Sequence, residues 1–230
     1  MTPKPGKLYL VATPIGNLKD ITLRALEILK SVDRIACEDT RHSQKLLNAY
    51  QIKKPLLSLH EHNELKRIPE ILNKLQGGES IALISDAGTP LISDPGFPLV
   101  RELIAAGVEV ESIPGPCAAI NALAMSGLPP DRFYFVGFLP PRSAARKRKL
   151  EELKDHPSTL IFYESTHRIQ KFLGEARQIL GPRPAVLLRE MTKKFEEALR
   201  GSLDTLGTSQ IPRSWKGEFV LLIQGALKSN

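Results

Sequence analysis

Residues 80–96, SIALISDAGTPLISDPG, combine a short apolar run with a loop rich in Asp, Gly, Thr and Pro. The run at residues 81–84 has the composition of a fully buried strand. That strand must end soon afterwards, because Gly88 permits backbone angles closed to other residues and because Pro90 and Pro95 lack the N–H that a sheet needs. Open α/β sheets bind ligands in such loops, beyond the carboxyl ends of strands. An ordinary turn has the same composition, so the stretch alone leaves both interpretations open.

Strand-like runs alternate with helical patterns through the first half of the chain. Helices are predicted near residues 22–31, 43–50, 65–75 and 98–106, and strands at residues 8–12, 34–37, 56–59, 81–85 and 108–113. This alternation is typical of an α/β fold in which helices cover both faces of a mainly parallel sheet.

A second domain is predicted after the segment GLPPD at residues 127–131, whose composition is that of a linker. The predicted domains are therefore residues 1–126 and 127–230. The second half contains strand-like runs separated by helical patterns and turns, namely FYFVGFL (133–139), TLIFYES (159–165), AVLLRE (185–190) and FVLLIQG (219–225). We expect a smaller α/β domain with a mixed sheet.

Composition narrows the class of protein. The 230 residues are 42% hydrophobic and 25% charged, as in globular proteins. Cys37 and Cys117 are far apart and form no C-x-x-C pattern, so neither a disulfide framework nor a zinc site is expected. His60 and His62 flank a glutamate on an extended segment, where neighbouring side chains point to opposite faces, and we predict no metal. With no signal-like or membrane-spanning run, a cytoplasmic protein is expected.

Positive charge is concentrated in the second half. Residues 1–126 hold 14 Lys and Arg against 14 Asp and Glu, whereas residues 127–230 hold 18 against 11, so the net charge of +7 lies entirely in the second half. This distribution favours a polyanionic partner, although a solvated basic face has the same composition. Its densest part is the predicted helix PPRSAARKRKLEELKDH (140–156). Positive charge near a helix N-terminus opposes the helix dipole, so phosphate contact explains it better than helix stability does.

Several further motifs follow predicted strands. The turn ATPIGNLKDIT (12–22) has neither the G-x-G-x-x-G spacing nor a phosphate loop. CEDTRHS (37–43) offers groups that bind substrate, move protons or cap the next helix. PGPCAAI (114–120) begins a helix whose small side chains either expose N–H groups to a ligand or allow close packing. YESTHR (163–168) and LREMTK (188–193) place ionisable groups beside buried strands, either around one cleft or as salt-linked turns.

Taken together, these motifs resemble the pattern of the tetrapyrrole methylase family, in particular of members that methylate small-subunit ribosomal RNA. The resemblance runs in order from residue 7 to residue 225 and rests on VATPIGNLKDIT, ACEDTRHS, LISDAGTPLISDPG, IPGPCAAINAL, FYFVGFLP, YESTHR, LREMTK and KGEF. It implies two α/β domains with S-adenosylmethionine in the cleft between them, and a homodimer. The implied reaction is 2′-O-methylation of the ribose of a cytidine in the decoding region of small-subunit (16S) rRNA.

The resemblance also implies site residues. Cofactor contacts are expected from Pro14, Ile15, Asp86, Ala87, Gly88, Thr89, Ile92, Cys117, Ala118, Ala119, Phe162 and Met191. From its own charge, and independently of the resemblance, the basic helix is expected to contact RNA through Arg142, Arg146, Lys147, Arg148 and Lys149.

The ribose hydroxyl is a poor nucleophile, so a general base, or a cation that favours the alkoxide, is expected near the methyl acceptor. The unranked candidates are Glu38, Asp39, Arg41, Glu164, Arg168, Glu190 and Lys193. Two other functions stay open: a methyltransferase of the same fold that acts on a small molecule such as a tetrapyrrole, and a non-catalytic RNA-binding or ribosome-assembly protein.

Overall fold

A computed structural model describes residues 5–208 and 216–226. The chain divides into two compact units between Cys117 and Ala118. The sequence prediction places the boundary later, after residue 126, because GLPPD has linker composition. In the structure the intervening helix packs on the sheet of the second unit, which accounts for the difference.

The first unit alternates strands and helices and contains a five-stranded parallel sheet, as predicted. Its elements are β1 (Leu8–Val11), α1 (Leu23–Ser31), β2 (Arg34–Cys37), α2 (Thr40–Ala49), β3 (Leu56–Ser58), α3 (Glu64–Gln76), β4 (Ile81–Ile84), α4 (Phe97–Ala105) and β5 (Val110–Ile113). The strand order is β3-β2-β4-β1-β5. Ile84 is in register with both Val11 and Cys37, and Val11 with Ile113. Four strands therefore end level with one another, and their following loops leave one edge of the sheet.

Helices cover both faces of this sheet, which explains why its central strands are apolar throughout. Leu29 of α1 and Leu47 of α2 pack against one face. Leu75 of α3 and Leu103 of α4 pack against the other. The carboxylate of Glu64, which is buried, accepts a hydrogen bond from the backbone N–H of Leu99 at 3.1 Å and so ties α3 to the start of α4.

The second unit contains the predicted mixed sheet. Its elements are α5 (Ala118–Ser126), β6 (Phe133–Phe138), α6 (Ser143–Glu152), β7 (Thr159–Ser165), α7 (Thr166–Leu180), β8 (Pro184–Arg189), β9 (Glu197–Ser202), α8 (Leu203–Thr208) and β10 (Glu218–Ile223). The strand order is β6-β7-β10-β8-β9. Strands β6 and β7 are parallel, and the other neighbours are antiparallel. Because β7 and β8 both run opposite to β10, the carboxyl ends of β6, β7 and β8 lie at one edge.

The core of the second unit lies between its sheet and α6 and α7. The rings of Phe162 and Phe172 meet there edge to face, with centroids 5.2 Å apart. Helix α5 packs against β7 and β10, and it buries mainly small residues such as Ala119 and Ala122. Small side chains allow this close approach of the helix, so close packing, one of the two explanations left open for PGPCAAI, holds in the structure.

Candidate functional site

Three loops meet at the carboxyl edge of the first sheet. Thr13 and Gly88 exchange two backbone hydrogen bonds of 2.9 and 3.0 Å, which join the loop after β1 to the loop after β4. The hydroxyl of Thr13 donates to the carbonyl of Ser85, and the hydroxyl of Ser85 donates to the carbonyl of Gly88, both at 3.1 Å. The hydroxyl of Thr89 donates to the carbonyl of Pro116 at 3.0 Å and adds the loop after β5. The structure thus brings together the predicted cofactor residues of the first unit.

The loop after β4 has an unusual backbone. Gly88 has φ +87°, and a Cβ at that position would lie 3.3 Å from Cγ2 of Ile15. Leu91 and Ser93 also have positive φ, 72° and 67°, although side chains disfavour this region. Such residues cost about 1–3 kcal/mol each and cluster at ligand-binding loops. Further along, Ile92 exposes 40% of its surface, so an apolar side chain projects from a tightly held loop.

The other predicted cofactor residues of this loop cluster differ in accessibility. Pro14 and Ile15 are buried, Asp86 and Thr89 are half-buried, and Ala87 is exposed. The half-buried Cys117 ends the first unit.

Three carboxyl groups share the same edge of the first sheet. Burial, the charge of Glu38 and the charge of Asp86 raise the pKa of Asp94 to about 6, against a smaller lowering by a hydrogen bond with Ser85. Burial and the charge of Asp86 likewise raise the pKa of Glu38. Burial is the main cause of both shifts, and the mutual repulsion of the three carboxylates adds to it; this local negative charge suits a cationic ligand. Asp94 and Ser85 are absent from the predicted site residues, although both belong to the stretch that predicts the strand end.

The polar groups after β2 have separate roles. The carboxylate of Asp39 accepts hydrogen bonds from the backbone N–H groups of Arg41 (2.8 Å) and His42 (3.4 Å), so it caps α2, and these bonds lower its pKa. The backbone N–H of Asp39 donates to Asp86 at 3.3 Å. Arg41 is exposed, and Glu38 is half-buried. Within residues 5–208 and 216–226, the carboxylate of Glu38 has no hydrogen-bonded partner.

The second unit holds two ion-paired groups at the carboxyl edge of β6, β7 and β8. Arg168 donates two hydrogen bonds to the buried carboxylate of Glu164, at 2.7 and 3.0 Å, and a third to the carbonyl of Leu139 at 3.2 Å. These bonds fix the plane of the guanidinium, whose side chain is 26% exposed. The interpretation of YESTHR as a salt-linked turn is therefore correct for this pair.

The second group joins Glu190, Lys193 and Glu218. The ammonium of Lys193 donates to Glu190 at 2.9 Å and to Glu218 at 3.0 Å. Burial raises the pKa of Glu190, but hydrogen bonds from Lys193 and from the backbone of Glu218 outweigh it and hold that pKa below its ordinary value. Burial lowers the pKa of Lys193, but its bonds to the two carboxylates outweigh that effect and raise it. Glu190 and Lys193 are thus held ionised.

A groove of about 560 Å³ lies at the same edge of the second unit. The residues that line it are Phe138, Leu139, Pro140, Pro141, Glu164, Ser165 and Arg168. The basic helix α6 begins directly after the two prolines. The groove is therefore lined by residues of two motifs, FYFVGFLP and YESTHR, whose proximity the sequence alone does not predict.

The basic helix contains cations in different environments. Arg142 and Arg148 are exposed. Lys147 and Lys149 are half-buried, and their ammonium groups donate to Gln178 at 3.4 Å and Glu152 at 2.7 Å. Arg146 does not fit its predicted RNA contact, because it is only 1% exposed and binds the buried carboxylate of Glu175 with hydrogen bonds of 2.5 and 3.0 Å.

The four predicted cofactor contacts of the second unit differ in what they expose. The side chain of Phe162 is fully buried in the core, so only its backbone is available to a ligand. The backbone N–H of Ala119 donates to the hydroxyl of Tyr163 at 3.0 Å and is not free. Ala118 is half-buried at the start of α5, and Met191 is 7% exposed. Tyr163 belongs to YESTHR but not to the predicted cofactor contacts; its side chain points to the face opposite Phe162, because side chains alternate along a strand.

The described part of the chain contains neither a metal-binding cluster nor a membrane-spanning helix. No group of three His, Cys, Asp or Glu side chains in that part is arranged to hold a metal ion. None of its helices combines the length and the apolar character that crossing a membrane requires.

Comparison with known proteins supports the sequence resemblance. Residues 7–207 match the family model of tetrapyrrole (corrin/porphyrin) methylases. A Haemophilus influenzae protein called ribosomal RNA small subunit methyltransferase I is 54% identical, with 100% of this chain and 82% of that protein aligned. Proteins of the same name from Escherichia coli O157:H7 and Halalkalibacterium halodurans are 50% and 49% identical over 96% of this chain, and 78% and 76% of their own lengths are covered.

Solved structures share the fold at low sequence identity. Diphthine synthase superposes with a TM-score of 0.71 at 13% identity, covering 96% of this chain and 90% of that one. Uroporphyrin-III-C-methyltransferase from Thermus thermophilus superposes with a TM-score of 0.65 at 22% identity, covering 95% and 94%. At these identities the likeness shows a common fold.

Proposed function

Since the chain belongs to the tetrapyrrole methylase family, we propose that it is an S-adenosylmethionine-dependent methyltransferase of small-subunit ribosomal RNA, specific for the ribose 2′-hydroxyl of a cytidine in the decoding region. The observation that carries the proposal is the identity of 49–54% to relatives called ribosomal RNA small subunit methyltransferase I, over almost the whole chain. The concentration of positive charge in the second half also supports an RNA substrate.

The loops of the first unit have a chemistry that fits the cofactor. S-adenosylmethionine carries a sulfonium and an ammonium, and Glu38, Asp86 and Asp94 supply negative potential beside these loops. Asp86 and the exposed Ile92 offer a hydrogen-bond acceptor and an apolar contact on either side of the Gly88 turn. When bound, the cofactor supplies an electrophilic methyl group to the acceptor.

A general base must accept the proton of the ribose hydroxyl, and the candidate carboxylates differ in whether other groups of the protein already bind them. Glu164 and Glu190 are neutralised by Arg168 and Lys193, and Asp39 caps a helix. Glu38 is the remaining carboxylate of the predicted set, and its raised pKa makes it a better proton acceptor than an ordinary glutamate. We assign it the role of general base, with Asp94 and Asp86 maintaining the potential around it.

Methyl transfer to small ribosomal subunits that lack the modification tests this function. Incubation with S-adenosylmethionine carrying a labelled methyl group should place label in the RNA of the small subunit. Label that stays in the cofactor, while a known methyltransferase labels the same subunits, would contradict the proposal. Light scattering on the purified chain tests the predicted homodimer separately.

A further inference from the structure

The groove of the second unit contains an exposed aromatic ring that no role described above uses. Phe138 is 57% exposed, although its ring meets Tyr163 edge to face with centroids 5.6 Å apart. Tyr163 in turn meets the ring of Phe135 at 5.1 Å. Phe138 is therefore held by an aromatic neighbour and still presents most of its surface to solvent.

An irregularity in β6 creates this arrangement. The pairing with β7 shifts between Phe135 and Gly137, and Gly137 has φ +69°. In a regular strand, residues 135 and 138 would point to opposite faces, yet both rings contact Tyr163. Bulges of this kind re-aim side chains and occur often beside functional sites. The bulge thus turns Phe138 toward the groove.

The walls of the groove are rigid and almost neutral. Pro140 and Pro141 have fixed backbone angles. The guanidinium of Arg168 is held in plane by its three hydrogen bonds, and the carboxylate of Glu164 compensates its charge. A flat, uncharged group with a π-face that stacks on a ring suits this groove better than a phosphate does.

Exposed positive charge begins just outside the groove. Arg142 follows Pro141 directly, and Arg148 lies further along α6; both are exposed. An aromatic surface beside such cations is the arrangement by which proteins hold single-stranded nucleic acid, with bases on rings and phosphates on cations.

We propose that this groove binds one unstacked base of the RNA substrate against Phe138, while Arg142 and Arg148 contact the adjoining phosphates. The inference deepens the proposed function and rests on it. It assigns Phe138 to substrate binding and gives it no part in proton or methyl transfer.

Fluorescence of a single-stranded oligoribonucleotide tests this proposal, with one cytidine replaced by the fluorescent analogue pyrrolocytidine. Binding to the unaltered chain should quench the analogue through stacking. Phe138→Ala should remove the quenching and weaken binding about 5- to 150-fold, the range for loss of one base–aromatic stack. Phe138→Tyr should retain both. Phe133→Ala is the matched control, because Phe133 is exposed on the same strand outside the groove and its loss should leave both signals unchanged.

Other outcomes separate the groove from the proposed function. A Phe138→Ala chain that binds RNA like the unaltered chain, or a Phe133→Ala chain that is weakened equally, overturns the base site alone. A dimer that becomes monomeric as the only effect of Phe138→Ala also overturns it and indicates an interface between copies. An unaltered chain that neither binds RNA nor methylates small subunits overturns both proposals. Should Phe138→Ala fail to fold, Phe138→Leu, which keeps apolar volume without the ring, must show the same loss.

Discussion

Replacing Arg146 by alanine removes the cationic half of a buried ion pair in the second unit. The guanidinium donates to the carboxylate of Glu175 at 2.5 and 3.0 Å and to the carbonyl of Pro141 at 3.0 Å. Glu175 is 6% exposed, so the variant leaves a carboxylate with little access to water and, among the described residues, with Ser143 as its one remaining hydrogen-bond donor. Breaking such a pair by removing one partner costs about 3–5 kcal/mol. Natural domains are stable by about 5–15 kcal/mol, so this is a large fraction of the total.

Arg148 provides the matched control on the same helix. It is exposed, and an exposed substitution away from special features changes stability by less than about 0.5 kcal/mol. Urea unfolding followed by far-ultraviolet circular dichroism should therefore separate Arg146→Ala from Arg148→Ala by several kcal/mol. The double variant Arg146→Met with Glu175→Leu should recover most of the loss, because it removes both charges together.

The pH dependence gives a second signature of the pair. Burial raises the pKa of Glu175, but hydrogen bonds from Arg146 and Ser143 outweigh it and hold that pKa below its ordinary 4.5. A lowered carboxyl pKa contributes stability that is fully present above the ordinary pKa and is lost as the pH falls through the folded value. Without Arg146, burial raises the pKa of Glu175 in the variant, so the cost of Arg146→Ala should be largest at neutral pH and shrink as the pH falls toward and through 4.5. Equal stability of the Arg146→Ala and Arg148→Ala chains at pH 7 would refute this reasoning.

Further predictions concern the basic helix, the cofactor loops and the acidic edge. Arg148→Ala should weaken RNA binding and lower the salt-dependence slope by about 1, measured by titration at several salt concentrations. Gly88→Val should abolish the thermal shift that S-adenosylmethionine causes, because a branched side chain does not fit φ +87° or the contact with Ile15. Glu38→Gln should lower kcat by about 10²–10⁴-fold with little loss of cofactor affinity, because Asp86 and Asp94 still supply negative potential at the cofactor loops; labelled-methyl transfer measures the turnover. The raised pKa of Asp94 means that its native state holds a proton more tightly than the unfolded chain, so stability should fall by about 1 kcal/mol, after solvent screening, between pH 4 and pH 6.5. Asp94→Asn should flatten that fall in urea titrations.

Controls make each of these outcomes decisive. Arg101→Ala, an exposed cation of the first unit, should leave the salt slope unchanged; an equal reduction would contradict a specific role for α6. Gly107 also has positive φ but no neighbour within 4 Å of an added Cβ, so a cofactor response lost equally in Gly107→Val would argue against the loop assignment. Glu61→Gln, an exposed neighbour, should keep full turnover. Turnover of Glu38→Gln equal to that of the unaltered chain excludes Glu38 as the base. If the stability of Asp94→Asn depends on pH as that of the unaltered chain does, Asp94 has no part in the acidic edge.

Most of the fold could be predicted because most strands are apolar runs between turn residues. Strand β9 (Glu197–Ser202, EALRGS) has no such run, and the sequence predicts no strand there. The meeting of the loops at the carboxyl edge could also be predicted. A parallel sheet sends these loops to one side, so Pro14 and Gly88 had to approach each other. The boundary between the units was harder to predict. The small residues of α5 suit either a ligand site or close packing, and the sequence does not show that this helix packs on the sheet of the second unit.

The features of the site that the sequence does not reveal have a common physical cause. Arg146 and Arg148 are indistinguishable in a run of basic residues, because the partner that buries Arg146 is Glu175 on α7, far along the sequence. Phe162 belongs to a strand apolar on both faces, so the alternation that would separate it from Tyr163 is hidden. The groove depends on a bulge in β6, and no residue pattern in this strand predicts the shift in strand pairing.

Mapping the methyl group tests the central claim most directly. Small subunits methylated by the purified chain with labelled S-adenosylmethionine are digested, and the labelled nucleotide is identified by mass spectrometry and by its resistance to alkaline cleavage. The account predicts a single 2′-O-methylated cytidine in the decoding region, whose formation falls when Glu38 is replaced by glutamine. Label on a base, at an unrelated nucleotide or in protein alone would contradict it.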